Sequence, residues 1–154
     1  MTPTLNGRWQ TRILLYIFIG LPVTFLYAMY LTNWRWPPAI ELSAFTDPFV
    51  FLTAILALGL LLDVAYQQAQ RFRWDGDWPF AYWLFFSIME FFAVYIGMEY
   101  FGALDYFLPD GRIPFDTAAW HYAFVLIPSF IAVLAVVQIF LVRWRYKGGE
   151  LGRF

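Results

Sequence analysis

Four long apolar stretches set the pattern of hydrophobic and polar positions along the chain, and short polar segments separate them. The stretches cover about residues 13–32, 48–67, 80–102 and 119–142. A bilayer core about 30 Å thick requires about 20 mainly apolar residues in one helix, and each stretch is long enough. The pattern therefore predicts an all-α, polytopic membrane protein, in which residues 1–154 form a single integral membrane domain built as a four-helix transmembrane bundle.

Helix starts and breaks are also visible in these stretches. Asp47 is a good N-cap residue and Pro48 suits the first helical position, so the pair predicts the start of the second helix. Pro22 lies inside the first stretch and Pro128 inside the fourth, where neighbouring helices can satisfy the freed backbone groups. The first stretch is longer than a signal-peptide core and is expected to remain in the protein.

Composition supports the membrane assignment and excludes several kinds of chemistry. The chain is 62% hydrophobic and 14% charged, whereas soluble proteins have roughly 45–50% apolar and about 25% charged residues. It has no cysteine and a single histidine, His121, which excludes disulfides, thiolate catalysis and multi-histidine metal centres. A net charge of -1 gives no basic surface for nucleic acid. The sequence predicts no metal site and no cofactor.

The distribution of basic residues predicts the orientation. Eight of the ten lie on one side of the predicted membrane, and only Arg35 and Arg112 lie on the other. Because cytoplasmic loops are enriched in basic residues, both termini are expected to be cytoplasmic. The eight are Arg8, Arg12, Arg71, Arg73, Arg143, Arg145, Lys147 and Arg153.

Glu90 is the most informative ionisable residue, because it lies about ten residues into the third stretch, close to the membrane midplane. The opposite face of its helix carries Phe85, Ile88 and Phe92, which suit lipid. Glu90 is therefore expected to face the bundle interior, either as a functional acid or as a structural hydrogen-bonding group between helices. Its own face is shared with Trp83, Ser87, Ala93 and Gly97.

A second candidate for chemistry lies at the outer end of the bundle. The short connection between the third and fourth stretches predicts that Glu99 or Tyr100 meets His121 there, as a proton-transfer pair. The alternative is an interfacial histidine in headgroups or water. Glu99 is half a helical turn away from Glu90, so the two do not form a carboxylate dyad. Asp63, near the inner end of its stretch, is expected to be a topology anchor or an interhelical hydrogen-bonding group.

Aromatic residues, 23% of the chain, occur in all four stretches and would give many ring contacts to a hydrophobic ligand. Pro128 adds an acceptor, because it frees the carbonyl of Phe124. A lipid-like molecule such as a sterol, isoprenoid, carotenoid or quinone is the expected ligand. The residues predicted to bind it are Trp83, Ser87, Tyr95, Tyr100, Phe124 and Pro128.

The chain resembles the emopamil-binding (EXPERA) family of small four-helix membrane proteins, which includes sterol isomerases and sterol-binding members. The similar segments are Asp47-Pro48-Phe49, Ser87-Ile88-Met89-Glu90 with Tyr95, and His121-Tyr122-Ala123-Phe124 through Ile127-Pro128. The second stretch lacks the His and Glu pair that the isomerases use. The resemblance thus leaves Glu90 as the intramembrane acid carried over from the family.

Two functions follow as hypotheses. The first is binding of a lipid-like ligand inside the bundle, with EXPERA-type isomerase activity as its catalytic form, for which Glu90, Glu99 and His121 are the candidate catalytic residues. The second is a noncatalytic subunit or assembly factor of a larger membrane complex. In that case helix faces with small residues, such as the one with Ser87, Ala93 and Gly97, would bind partner transmembrane helices.

Overall fold

The computed structural model describes residues 4–33, 42–71, 80–108 and 112–137. Within these ranges the chain forms helices and turns without a strand. Four helices are long and apolar enough to cross a membrane, by length and composition. The predicted all-α class and the number of candidate spans are confirmed.

Helix α1 runs from Leu5 to Leu31, so it begins eight residues before the predicted start at residue 13. The Thr4 side chain caps it by accepting a hydrogen bond from the Gly7 N–H at 3.2 Å. A π-helical turn at Tyr16–Gly20 interrupts the α-helix. It lies just before Pro22, whose ring would crowd the carbonyl four residues earlier in a regular α-helix.

Helix α2 is continuous from Leu42 to Arg71, so the prediction that it starts at Asp47 and Pro48 is wrong. Pro48 lies inside the helix, and both residues are buried. Pro48 lacks an N–H, so it costs one hydrogen bond to the carbonyl of Ala44. Packing of this segment against the bundle stabilises the helix by more than the hydrogen bond missing at Pro48 costs.

Helix α3 runs from Phe80 to Phe101, within one residue of its predicted bounds. It ends at Gly102, whose φ of 60° places it in the left-handed region that glycine adopts without strain. The Ala103 N–H donates to the carbonyl of Gly97, six residues earlier, at 3.1 Å, so the bond satisfies a carbonyl near the end of the helix. This ending turns the chain back towards the fourth helix.

Helix α4 is α-helical over Phe115–Ala132 and continues as a π-helical turn over Val133–Val137. It begins four residues before the predicted start at residue 119, with Pro114 at the N-cap position and Asp116 in its first turn. A carboxylate there is stabilised by the helix dipole. Residues 138–142 of the predicted span lie outside the described residues.

The main apolar core lies between α2, α3 and α4. Phe51 of α2 meets the edge of the Phe91 ring at 5.7 Å, and Phe91 stacks on Tyr122 of α4 at 5.1 Å. Helix α1 packs along α2 and also touches α4. Each helix therefore contacts more than one neighbour, as expected for a bundle.

The buried face of α3 is rotated from the predicted one. Glu90 is buried, as predicted, and Phe85, Ile88 and Phe92 are exposed on the bundle surface, as predicted. Ala93, however, is exposed. The bulky side chains that pack against α2 and α4, rather than the small ones, determine which face turns inward. The buried residues are Ser87, Glu90, Phe91, Val94 and Met98.

Candidate functional site

A buried ionic cluster joins three helices through the guanidinium of Arg12 on α1. Arg12 donates to both carboxylate oxygens of Asp63 on α2, from Nε at 2.7 Å and from Nη2 at 3.2 Å. It also donates to both oxygens of Glu90 on α3, from Nη1 at 2.8 Å and from Nη2 at 2.7 Å. Four hydrogen bonds therefore use the planar fork of one arginine in two bidentate pairs, a geometry that lysine cannot reproduce.

The three charged groups lie at similar depths in their helices. Arg12 is seven residues after Leu5, Asp63 is eight residues before Arg71, and Glu90 is ten residues after Phe80. At about 1.5 Å per residue, these separations correspond to depths of about 10–15 Å. We name the end of the bundle where α1 begins and α2 ends the basic end, and these depths are counted from it. The opposite end is the far end.

Two further polar groups complete the cluster. The Tyr66 hydroxyl makes a side-chain hydrogen bond to Glu90, and Arg8 Nη1 lies 4.0 Å from Asp63 Oδ1. With Arg8 counted, two positive charges face two negative charges. A buried group of zero net charge is far cheaper to hold away from water than an unpaired charge.

Gly59 provides the space that Arg12 occupies. It lies one helical turn before Asp63 on α2, and a Cβ built on it would overlap Arg12 Nη1. The same Cβ would lie 2.9 Å from Arg12 Cζ and 3.0 Å from Glu90 Oε2. Any side chain at this position therefore competes with the ionic cluster for volume.

A central cavity of about 80 Å³ adjoins the cluster, and all four helices line it. Apolar side chains form most of its wall, while Ser87, Ser129 and the Arg12–Glu90 pair contribute polar groups. The Tyr122 hydroxyl donates to the Ser87 carbonyl at 2.8 Å, which ties α4 to α3 beside the cavity. The lining residues are Arg12, Leu15, Tyr16, Leu52, Ile55, Leu56, Trp83, Ser87, Glu90, Tyr122, Val125, Leu126 and Ser129.

Towards the far end, α1 and α4 are joined by neutral polar contacts. His121 is 1% exposed, and its Nε2 lies 2.8 Å from the Thr24 hydroxyl oxygen. The Tyr27 ring lies 5.2 Å from the His121 ring, and its hydroxyl donates to the Thr117 carbonyl at 3.1 Å. The burial of His121 contradicts the alternative of a histidine in headgroups or water.

A groove of about 540 Å³ lies on the surface between these two helices. Four aromatic rings line it together with two aliphatic side chains, and the rings follow one another at centroid distances of 6.1–6.3 Å. This feature, named the outer groove here, is formed by Val23, Leu26, Tyr27, Tyr30, Trp120 and Phe124.

Among the predicted ligand-binding residues, Trp83 and Ser87 line the central cavity, and Phe124 lines the outer groove. Pro128 immediately precedes the cavity residue Ser129. Tyr95 packs in the core against Phe91 and the edge of Phe115. Tyr100 is exposed on the bundle surface. The predicted ligand-binding residues are therefore distributed over the central cavity, the outer groove, the core and the bundle surface, and they do not form one site.

The predicted hydrogen-bonded pair of His121 with Glu99 or Tyr100 does not form in the described part of the chain. Glu99 accepts instead from Arg112 Nη1 at 3.2 Å, in an exposed pair. His121 faces Thr24 of α1 rather than α3. The sequence analysis considered only the connected helices α3 and α4, whereas α1 supplies the hydrogen-bond partner of the histidine.

Sequence reasoning treated Arg12 only as a charge outside the membrane and did not consider Gly59. The available signal was that one arginine and two acids lie at matching depths in three apolar segments, where unpaired charges are costly. Asp63 forms the interhelical bond that was one of its two expected roles. Over the described ranges, no three His, Asp or Glu side chains come together in a way that could hold a metal ion.

Comparison with known proteins adds no family: no protein-family model, curated protein or solved structure matches this chain. The site must therefore be interpreted from its own geometry.

We expect Gly59→Ala to destabilise the fold by about 1–3 kcal/mol, because the added methyl group overlaps a guanidinium that is held by two carboxylates. Gly97→Ala is the matched control, since its Cβ would meet only Ala103 Cβ at 3.7 Å. Reversible unfolding in mixed micelles containing SDS measures both. Equal midpoints for the two variants would contradict the role assigned to Gly59.

Arg12→Leu is expected to cost about 3–5 kcal/mol, because it leaves two buried carboxylates without their main cation. Arg12→Lys should cost less, since it keeps the charge and loses the bidentate geometry. Arg112→Leu removes the exposed pair with Glu99, in which Arg112 is 67% exposed, and should cost less than about 1 kcal/mol. The same unfolding assay ranks the three variants, and a small effect of Arg12→Leu would refute the ionic cluster as a structural element.

Proposed function

We propose that this chain is a multi-pass membrane protein, with its basic end in the cytoplasm, that binds a lipid-like molecule in the outer groove. The observation that carries the proposal is the groove itself, with a volume of about 540 Å³ and a lining of aromatic and aliphatic side chains. Small-molecule sites usually have about 300–1,000 Å³ and mostly apolar walls. The central cavity, at about 80 Å³, is too small for a whole lipid.

The shape of the groove favours a rigid ligand over an acyl chain. Its rings form a continuous series, with Tyr27 next to Tyr30 and Phe124, and Phe124 next to Trp120. A planar or polyene molecule loses fewer internal rotations on binding than a flexible chain does. Of the expected ligand classes, a sterol, a carotenoid or the ring of a quinone therefore fits better than an acyclic isoprenoid.

Two polar groups are placed to bind the polar end of such a ligand. The Tyr30 hydroxyl and the Trp120 indole N–H make no hydrogen bond to other residues in the part of the chain that the structure describes. Both line the groove, and Tyr30 is next to the last residue of α1. Their amphipathic rings suit the membrane interface. Tyr30 and Trp120 lie at the two ends of the ring series, so a hydroxyl or carbonyl group at either end of the ligand would have a partner.

The site supports binding rather than isomerase chemistry. Glu90, the acid implied by the EXPERA resemblance, does not line the groove, and both of its oxygens accept hydrogen bonds from Arg12. His121 lies behind the Tyr27 ring with Thr24 on its Nε2 atom. Neither group is positioned to exchange a proton with a ligand in the groove.

We expect Phe124→Ala to weaken ligand binding by about tenfold, because it removes one ring of the groove wall. Phe85→Ala is the matched control, since Phe85 is an exposed phenylalanine on α3 outside the groove. Dehydroergosterol and decylubiquinone, titrated against the full chain in nanodiscs, serve as sterol and quinone probes with tryptophan fluorescence as the readout. Equal affinities for both variants would refute the groove as the site. Purification of the chain only as part of a heteromeric particle without bound lipid would support the subunit hypothesis instead.

The proposed orientation predicts the labelling pattern of introduced cysteines, and the native chain has none to interfere. A cysteine replacing Asp110, in the connection between α3 and α4, should react with an impermeant maleimide on intact cells. A cysteine replacing Lys147 should react only after the membrane is opened, because the basic C-terminal segment is expected in the cytoplasm. The reverse pattern would overturn the orientation without affecting the binding proposal.

A further inference from the structure

Two serine hydroxyl groups that have no hydrogen-bond partner among the described residues line the central cavity. Ser87 on α3 is 4% exposed and Ser129 on α4 is 6% exposed, and both line the cavity. Neither hydroxyl makes a hydrogen bond to another described residue. A buried hydroxyl without a partner costs free energy unless a ligand or a water molecule satisfies it.

The charged groups and the tyrosine hydroxyls around the cavity are already paired. Arg12 and Glu90 bind each other, the Tyr16 hydroxyl lies 2.8 Å from the Thr53 hydroxyl, and the Tyr122 hydroxyl donates to the Ser87 carbonyl. The rest of the wall consists mainly of leucine, isoleucine and valine side chains, together with Trp83. The hydroxyls of Ser87 and Ser129 therefore lie in a mainly apolar wall.

We propose that the central cavity binds a small apolar alcohol, whose hydroxyl hydrogen-bonds Ser87 and Ser129 and whose carbon body packs against the aliphatic wall. An alcohol matches the two serines because it can donate to one hydroxyl and accept from the other. A water molecule requires about 10–15 Å³ of such space. The volume of about 80 Å³ thus holds about six atoms of that size, as in cyclopentanol.

This site is separate from the outer groove, because the two share no lining residue. Substitutions in the cavity should leave sterol or quinone binding unchanged. The two proposals can therefore fail independently.

The test uses the full chain in nanodiscs and a four-carbon alcohol that carries a photoreactive diazirine. We expect light-dependent labelling, located by mass spectrometry, on cavity residues of α3 and α4. Cyclopentanol should compete with the label, and cyclopentane, which has the same ring without the hydroxyl, should compete at least fivefold less well. Labelling elsewhere only, or equal competition by the hydrocarbon, would overturn the proposal.

Serine variants test the hydroxyl pair directly. Ser87→Ala and Ser129→Ala should each weaken competition by cyclopentanol about fivefold, because each removes one hydrogen bond to the ligand. Ser43→Ala is the matched control on α2, since Ser43 does not line the cavity. Each variant should retain the helical circular dichroism and dehydroergosterol binding of the parent protein. Unchanged competition in both cavity variants would show that the space holds only water or nonspecific solute.

Discussion

The helix arrangement depends on two buried carboxylates that share one partly buried arginine. Arg12 obtains them from two different helices, through four hydrogen bonds in two bidentate pairs. A guanidinium fork has fixed directions, so these bonds set the axial position and rotation of α1, α2 and α3 relative to one another. In a bilayer the lipid tails are as apolar as leucine, so apolar side chains alone specify such positions weakly. The charged contacts give the basic end its defined register.

Helix α4 is held by a different kind of interaction. Over its described residues it contributes no charge to the ionic cluster, and the hydrogen bonds that link it to the bundle there are neutral: Tyr122 to the Ser87 carbonyl, His121 to Thr24, and Tyr27 to the Thr117 carbonyl. Each such contact is worth about 1 kcal/mol, which is less than a buried ionic network loses when one member is removed. The boundary between α1 and α4 therefore lacks the charged contacts that join α1, α2 and α3 over the described residues. The outer groove lies along this boundary.

The sequence predicts the features of this fold that are properties of a single helix, such as its length and the face that it buries. Length and apolarity predict four spans, and the wheel of α3 predicts that Glu90 turns inward and Phe85 outward. Contacts between helices distant in the chain were missed, because periodicity does not say which helices are neighbours. Arg12 with Glu90 and Thr24 with His121 are pairs of this kind, separated by 78 and 97 residues. The start of α2 was missed for a related reason, since tertiary packing carries the helix through Pro48.

The ionic cluster also explains how the bundle tolerates an incompletely packed centre. A cavity and two unsatisfied serine hydroxyls both lower stability, and they also permit alternative packings. Here they lie next to Arg12 and Glu90, whose fixed geometry excludes a rotated or shifted arrangement of α3. Gly59 also helps to fix the arrangement of the helices. It has no side chain, and the Arg12 guanidinium fills the space that a side chain would occupy. Specificity supplied by the charges thus offsets the specificity that the incompletely packed space next to them loses.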